Sequence, residues 1–188
     1  MRAIRTIGLM LATALFASYG VAQAEVQKFM APCDGKLCPY FRIALTAPKG
    51  WVLDEEATKT YKVQILVPKG KTYDNAPALI YVQVFYRRDK QQSLASFAET
   101  SNARWRAKVK DAKITSLPAV ERANGKQGFL RFAFENPGNR QQPYELGAFG
   151  IDSDKDGNEF VLDVVMTAVN KTALDGAKKD YIAFLKAH

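Results

Sequence analysis

Over residues 78–86 the apolar side chains fall on both sides of an extended chain, with Leu79, Tyr81 and Phe85 on one and Ile80, Val82 and Val84 on the other. A run of this kind predicts a strand covered on both faces. Val63, Ile65 and Val67 alternate with polar residues instead, which predicts a strand with one buried face, ended by Pro68-Lys69-Gly70. An earlier strand is expected over 40–47, closed by the turn residues Pro48-Lys49-Gly50 before Trp51. Past residue 113, four apolar stretches succeed one another over 114–122, 128–134, 144–151 and 160–169. Asn124-Gly125, Asn136-Pro137-Gly138-Asn139 and Asp154-Lys155-Asp156-Gly157 separate them. Strands joined in this way form a meander and therefore pair antiparallel.

Helical spacing occurs twice. Leu94, Phe97, Ala98, Ser101, Trp105 and Val109 recur at steps of three and four, with Ser93 as the N-cap and Arg106 and Lys110 on the opposite side. Leu174, Ala177, Tyr181, Leu185 and His188 share one face of a final helix, and Thr172 with Asp175 resembles its capping arrangement. The elements predict an α+β fold, a single antiparallel sheet of six to seven strands flanked by two main helices as an α/β/α sandwich. No internal repeat or linker interrupts it, so residues 25–188 read as one domain.

The N-terminus follows another pattern. Arg2 and Arg5 precede a largely apolar stretch over 7–21, and Ala22-Gln23-Ala24 has the small residues of a cleavage site. Residues 1–24 therefore read as a signal peptide, cleaved near Ala24, and the mature protein as periplasmic or secreted. A retained anchor is the rival reading, for which the apolar run is short. No later segment is long and apolar enough to cross a bilayer, so the mature chain is not expected to be integral to a membrane. Cleavage would leave 164 of the 188 residues, enough for a proper hydrophobic core. The net charge is +8, of which the leader carries two, and the remaining excess favours anionic partners.

Cys33 and Cys38 are the two cysteines, separated by Asp34-Gly35-Lys36-Leu37. In an oxidising compartment an even pair around a turn sequence predicts a local disulfide. The spacing is not Cys-x-x-Cys and no helix follows to lower a thiol pKa, which argues against a redox-active pair.

The order of elements, with Ala47-Pro48-Lys49-Gly50-Trp51 after the first strand and Ser93-Leu94-Ala95-Ser96-Phe97 opening the helix, resembles the group of photosystem oxygen-evolving accessory proteins and Mog1-like proteins, which includes exported bacterial members. The resemblance implies an α/β/α sandwich and a binding or accessory role. Neither motif carries chemistry.

Chemistry-bearing residues are sparse. His188 is the single histidine and the last residue, expected at a fraying end, so nucleophile schemes that need an imidazole have little to build on. Carboxylates can run acid and base steps alone, but Glu55, Glu56, Glu121, Glu135 and Glu145 are spread along the chain and read as solvated surface groups. Asp152-Ser153-Asp154-Lys155-Asp156-Gly157 matches the opening of a calcium loop, with Asn158 seventh and Asp163 twelfth. The flanks are strands, so the same residues also read as a polar hairpin tip. Arg87, Arg88 and Lys90 beside Tyr86 form a candidate binding cluster for anionic surfaces, or an ordinary strand end. Asn170-Lys171-Thr172 is a formal glycosylation sequon or a strand-to-helix turn. No groove-reading helix or single-strand module suggests nucleic acid.

Taken together these features predict an exported binding or accessory protein, not an enzyme, with a protein or an anionic envelope component as partner and no cofactor. The alternatives are a calcium-binding domain using Asp152, Asp154, Asp156, Asn158 and Asp163, and a hydrolase working through carboxylates alone.

Overall fold

A computed structural model of the chain describes residues 26–188 apart from 110, 124, 137–140 and 142. The leader expected over 1–24 lies outside the described residues, as do Lys110, Asn124 and the centre of the 136–139 turn. Strands β1 (Val26–Cys33) and β2 (Lys36–Ile43) open the described chain as a hairpin. Asp34 and Gly35 between them have φ of 45° and 76°. Two successive positive φ values are what a type I′ turn requires, and Asp-Gly meets that need with little strain. Cys33 and Cys38 are joined across this turn with their Cα atoms 5.8 Å apart. The strand expected over 40–47 thus starts earlier, stops at Ile43, and has a partner whose pattern was silent because β1 buries only Val26 and Ala31.

The main sheet contains β3 (Trp51–Leu53), β4 (Gln64–Pro68), β5 (Ala78–Tyr86), β6 (Lys113–Val120), β7 (Phe129–Glu135), β8 (Tyr144–Ser153) and β9 (Glu159–Ala168). Their order is β3-β4-β5-β9-β8-β7-β6, and every neighbouring pair is antiparallel. The meander therefore runs from β6 to β9 as expected, and β9 then joins β5 in the middle of the sheet. Seven strands is the expected number, with a different membership. Trp51 begins an edge strand where a turn was expected, while β2 belongs to the separate hairpin.

Helix α2 (Leu94–Lys108) lies over β7 and β8, and α3 (Lys171–Ala187) over β9 and β5. They occupy opposite faces, because alternate residues of β9 go to each. Phe160, Leu162, Val164, Met166 and Ala168 share a core with Leu174, Tyr181, Phe184 and Leu185 of α3, whereas Val161 packs with Leu94 and Ala98 of α2. The α/β/α sandwich is thus the observed architecture. Tyr181 is wholly buried and its hydroxyl donates to the Val164 carbonyl at 2.9 Å, so α3 is fixed to the sheet in rotation as well as in depth.

Three details correct the expectations. A third, short helix α1 (Glu55–Tyr61) starts at the N-cap Asp54, whose Oδ1 accepts from the Ala57 N–H at 3.0 Å. Two turns of helix burying only Ala57 leave no periodic trace in the sequence. Because α1 covers β4 on one side and the larger core covers the other, Gln64, Ile65, Leu66 and Val67 are all buried, where one wet face was expected. The N-cap of α3 is Asn170, whose Oδ1 accepts from the Ala173 N–H at 2.8 Å; Thr172 lies within the first turn.

Gln64 joins the hairpin to the main sheet. Its Oε1 accepts from the Ile43 N–H at 3.0 Å and its Nε2 donates to the Ile43 carbonyl at 2.9 Å, so one side chain stands in for a neighbouring strand. Gln64→Ala leaves two buried main-chain groups unpaired, and a loss of about 2 kcal/mol is expected in urea unfolding. Amide exchange at Ile43 should accelerate in the same variant, and unchanged protection there would sink the assignment.

Candidate functional site

Strand alternation builds a grid of side chains on the face of the sheet that carries α1 and α2. Leu79, Thr167 and Glu145 form one row across β5, β9 and β8; Tyr81, Val165 and Gly147 the next; Gln83, Asp163 and Phe149 the third. Paired residues in an antiparallel sheet point the same way, so Glu145 and Asp163 face the same side. They flank the place where Gly147 contributes no side chain. A Cβ there would come within 2.7 Å of Cε2 of Phe134, whose ring lies across the glycine and meets Trp105 edge to face at 5.1 Å.

Between this grid and α2 is a chamber of about 160 Å³. Gly147 and Val165 floor it, Ser101, Asn102 and Trp105 of α2 roof it, and Glu145, Asp163 and Tyr81 are among its walls. On the other side of Tyr81 is a second hollow of about 270 Å³, lined mainly by Tyr61, Tyr73, Leu79, Gln83 and Thr167. The Tyr61 and Tyr73 rings are 4.8 Å apart at its rim. The two hollows share the Tyr81 side chain as a wall: the outer one, beside α1, is mainly aromatic, and the inner one, beneath α2, is acidic.

Among the described residues no Lys, Arg or His lines the inner chamber, although the chain carries 27 Lys and Arg. Among the described residues no hydrogen bond or ion pair reaches either carboxylate, and the buried Oδ1 of Asp163 is without a partner. Burial pushes Glu145 up to about 7. Burial, and then the charge of Glu145, push Asp163 up to about 7 as well. Tyr81, raised by burial and by both acids, stays a phenol. Asn102 is 5% exposed and its Oδ1 is also unpartnered. Such groups lower stability and are characteristic of functional sites.

Of this site the sequence pattern singles out Glu145, as a surface acid, and Asp163, as a ligand in the alternative calcium reading. A signal was present in the strand pattern, since both are acids at inward positions of otherwise apolar strands. The residues of the alternative calcium reading fall on different faces of the sheet. Asp152 turns to the α3 face, where it meets Arg122 and Lys126, while Asp163 looks into the chamber on the other face. Asp154 closes the hairpin tip itself: its Oδ1 accepts from the main-chain N–H groups of Asp156 and Asn158, each at 2.9 Å, and its Oδ2 from the Asn158 side chain at 2.8 Å. Among the described residues no three His, Cys, Asp or Glu side chains are grouped to hold a metal.

The basic cluster is also divided. Arg87 pairs with Glu159 and donates to the carbonyls of Lys90 and Gln92, which fastens the chain leaving β5. Lys90 donates to the Gly157 carbonyl at 3.2 Å. Arg88 alone of the three faces a wide groove between the N-terminal hairpin and the 154–158 turn, which Lys28 and Lys155 also line, together with Asp154 and Asp156. His188 is not frayed: it is 3% exposed, its Nε2 accepts from the Thr46 N–H at 3.1 Å, and burial lowers its pKa. No described helix is long and apolar enough to cross a membrane.

No family model matches the chain, and no curated protein matches it either. Among solved structures it is similar to Mog1p, a Ran-binding protein of Saccharomyces cerevisiae. The two are 10% identical over 83% of this chain and 85% of that one, with a TM-score of 0.42. A likeness that faint transfers no residue role.

Proposed function

We propose that the protein is an exported binding protein that works through the acidic cleft beneath α2 and performs no covalent chemistry. The observation that carries this reading is the inner chamber, where two carboxylates and the Asn102 amide oxygen sit under a helix without partners. An apolar lining would be more stable, so acids gathered around a hollow with no base beside them read as a place for an occupant. Export to a periplasm or the medium is supported by the leader pattern of residues 1–24 and by the Cys33–Cys38 bond, which suits an oxidising compartment. An envelope protein, or an anionic envelope component resting on the groove with Lys28, Arg88 and Lys155, is the partner that the net charge favours.

The cleft reading is tested by titrating a chemically mixed set of small fragments against the labelled protein and following its NMR spectrum. Shifts are expected to gather on Asn102, Trp105, Tyr81 and Gly147. Hits confined to other surfaces, or none at all, would remove the cleft from consideration. Turnover of any such compound would replace binding by acid–base catalysis, for which acids titrating near 7 are well poised.

A further inference from the structure

The inner chamber is selective in what it can hold. Its acceptors are carboxylate oxygens, an amide oxygen without a donor, and hydroxyls; Asn102 and Trp105 add neutral N–H donors, and the remaining surface is aromatic or aliphatic. An anion would face two acids, and a neutral apolar group would leave the buried acceptors unpaired. Calcium and magnesium prefer six or more oxygen ligands, and two carboxylates on separate strands fall short of that. A compact cation that brings several N–H donors meets each requirement, because charge-assisted bonds satisfy the acceptors and the Trp105 and Phe134 rings accept its stem.

We propose that the chamber beneath α2 binds a protonated primary alkylamine, its ammonium between Glu145 and Asp163 and within reach of Asn102 Oδ1, its alkyl stem against Trp105 and Phe134. This rests on the cleft being a binding site and adds the class of its ligand. An ammonium has three donors on a point charge, which matches acceptors that converge from β8, β9 and α2. The volume of about 160 Å³ takes the head group and a few methylenes, so the source is either a free amine or the end of a partner's lysine side chain.

Binding is expected to be coupled to protons. The titratable groups facing the chamber are Glu145 of β8, Asp163 of β9 and Tyr81 of β5; α2 contributes Ser101, Asn102 and Trp105, and β7 contributes Phe134, none of which titrates. Both acids lose protons near pH 7, whereas an alkylammonium keeps its proton to about 10. The amine therefore binds once one of the two acids is ionised, and its affinity should rise about thirtyfold between pH 5.5 and pH 8.

The experiment is calorimetric titration of the purified protein with n-butylammonium, n-butanol and butyrate, and with a short peptide carrying one lysine. The expected result is binding of the ammonium and neither isostere, with proton release at pH 7 and a loss of about tenfold or more in Asp163→Asn and in Glu145→Gln. Both substitutions keep the shape and remove the charge, and melting curves establish that each variant is folded. A tighter hold on the peptide than on butylammonium assigns the source to a partner protein; the reverse assigns it to free amines. Equal binding of butanol, a flat pH dependence, or undiminished affinity in both variants would overturn the amine assignment. In the mixed-fragment titration, shifts around Trp105 from uncharged compounds alone would discard the amine and leave the cleft standing.

Discussion

Asp152→Ala is expected to destabilise the protein by about 3–5 kcal/mol, measured as the shift in its urea unfolding midpoint at constant slope. The Arg122 and Asp152 side chains have no accessible surface, with Nη2 and Oδ2 3.2 Å apart. Arg122 also donates to the Ile151 carbonyl at 2.9 Å and to the main-chain oxygen of His188, and its guanidinium lies 4.9 Å above the Phe129 ring. Lys126 pairs with the other Asp152 oxygen. This cluster joins the segment after β6 to the far end of α3, where the Ala123 N–H also donates to the Lys186 carbonyl at 2.8 Å. Alanine at 152 removes the buried carboxylate that Arg122 and Lys126 share and leaves the guanidinium with main-chain acceptors. Replacing both partners by apolar residues of similar volume, Arg122→Met with Asp152→Leu, should cost less than the single change. A single change costing under about 1 kcal/mol would mean that the pair is solvated.

Asp163→Asn should act in the opposite direction and only at high pH. The folded carboxyl is raised to about 7 from an ordinary 3.8. A group raised on folding contributes stability that is complete below its unfolded pKa and disappears as pH climbs through the folded one. The wild type therefore weakens between about pH 4 and pH 8, while asparagine stays neutral throughout. At roughly 1.4 kcal/mol per pH unit, and allowing for the shared burden with Glu145, the variant should be about 2–4 kcal/mol more stable at pH 8. At pH 4 the two proteins should unfold within about 1 kcal/mol of each other. Melts at pH 4, 6 and 8 give the profile, and a difference independent of pH would show that the carboxylate is not desolvated. Greater stability with lost amine binding is the trade expected of a site residue.

The two variants also separate what each face of the sheet is for. On the α3 side, acid and base are buried together and close a structural joint. On the α2 side, acids are buried without a base, and the adjoining groups, Trp105, Asn102 and Tyr81, leave room beside them. A charge that is paired reads as architecture; one left unpaired reads as a site that awaits a partner.

Local pattern was enough for the elements that bury a continuous face. The run 78–86 emerged as β5 with the same bounds, the meander as β6 to β9, and Ser93 as the cap of α2, because side-chain alternation and capping are written within a few residues. The turn at Asp34-Gly35 and the cysteine pair around it were legible for the same reason. Short elements were not, since β3 and α1 bury too little to leave a period. What no window of sequence contains is which strands become neighbours. The register of β8 on β9 sends Asp152 to one face and Asp163 to the other, dividing residues that look like one calcium loop. The same register sets Glu145 and Asp163, eighteen positions apart, on either side of a glycine. Chain-local chemistry fixes which residues alternate; long-range pairing fixes which acids meet, and the candidate site exists only at that second level.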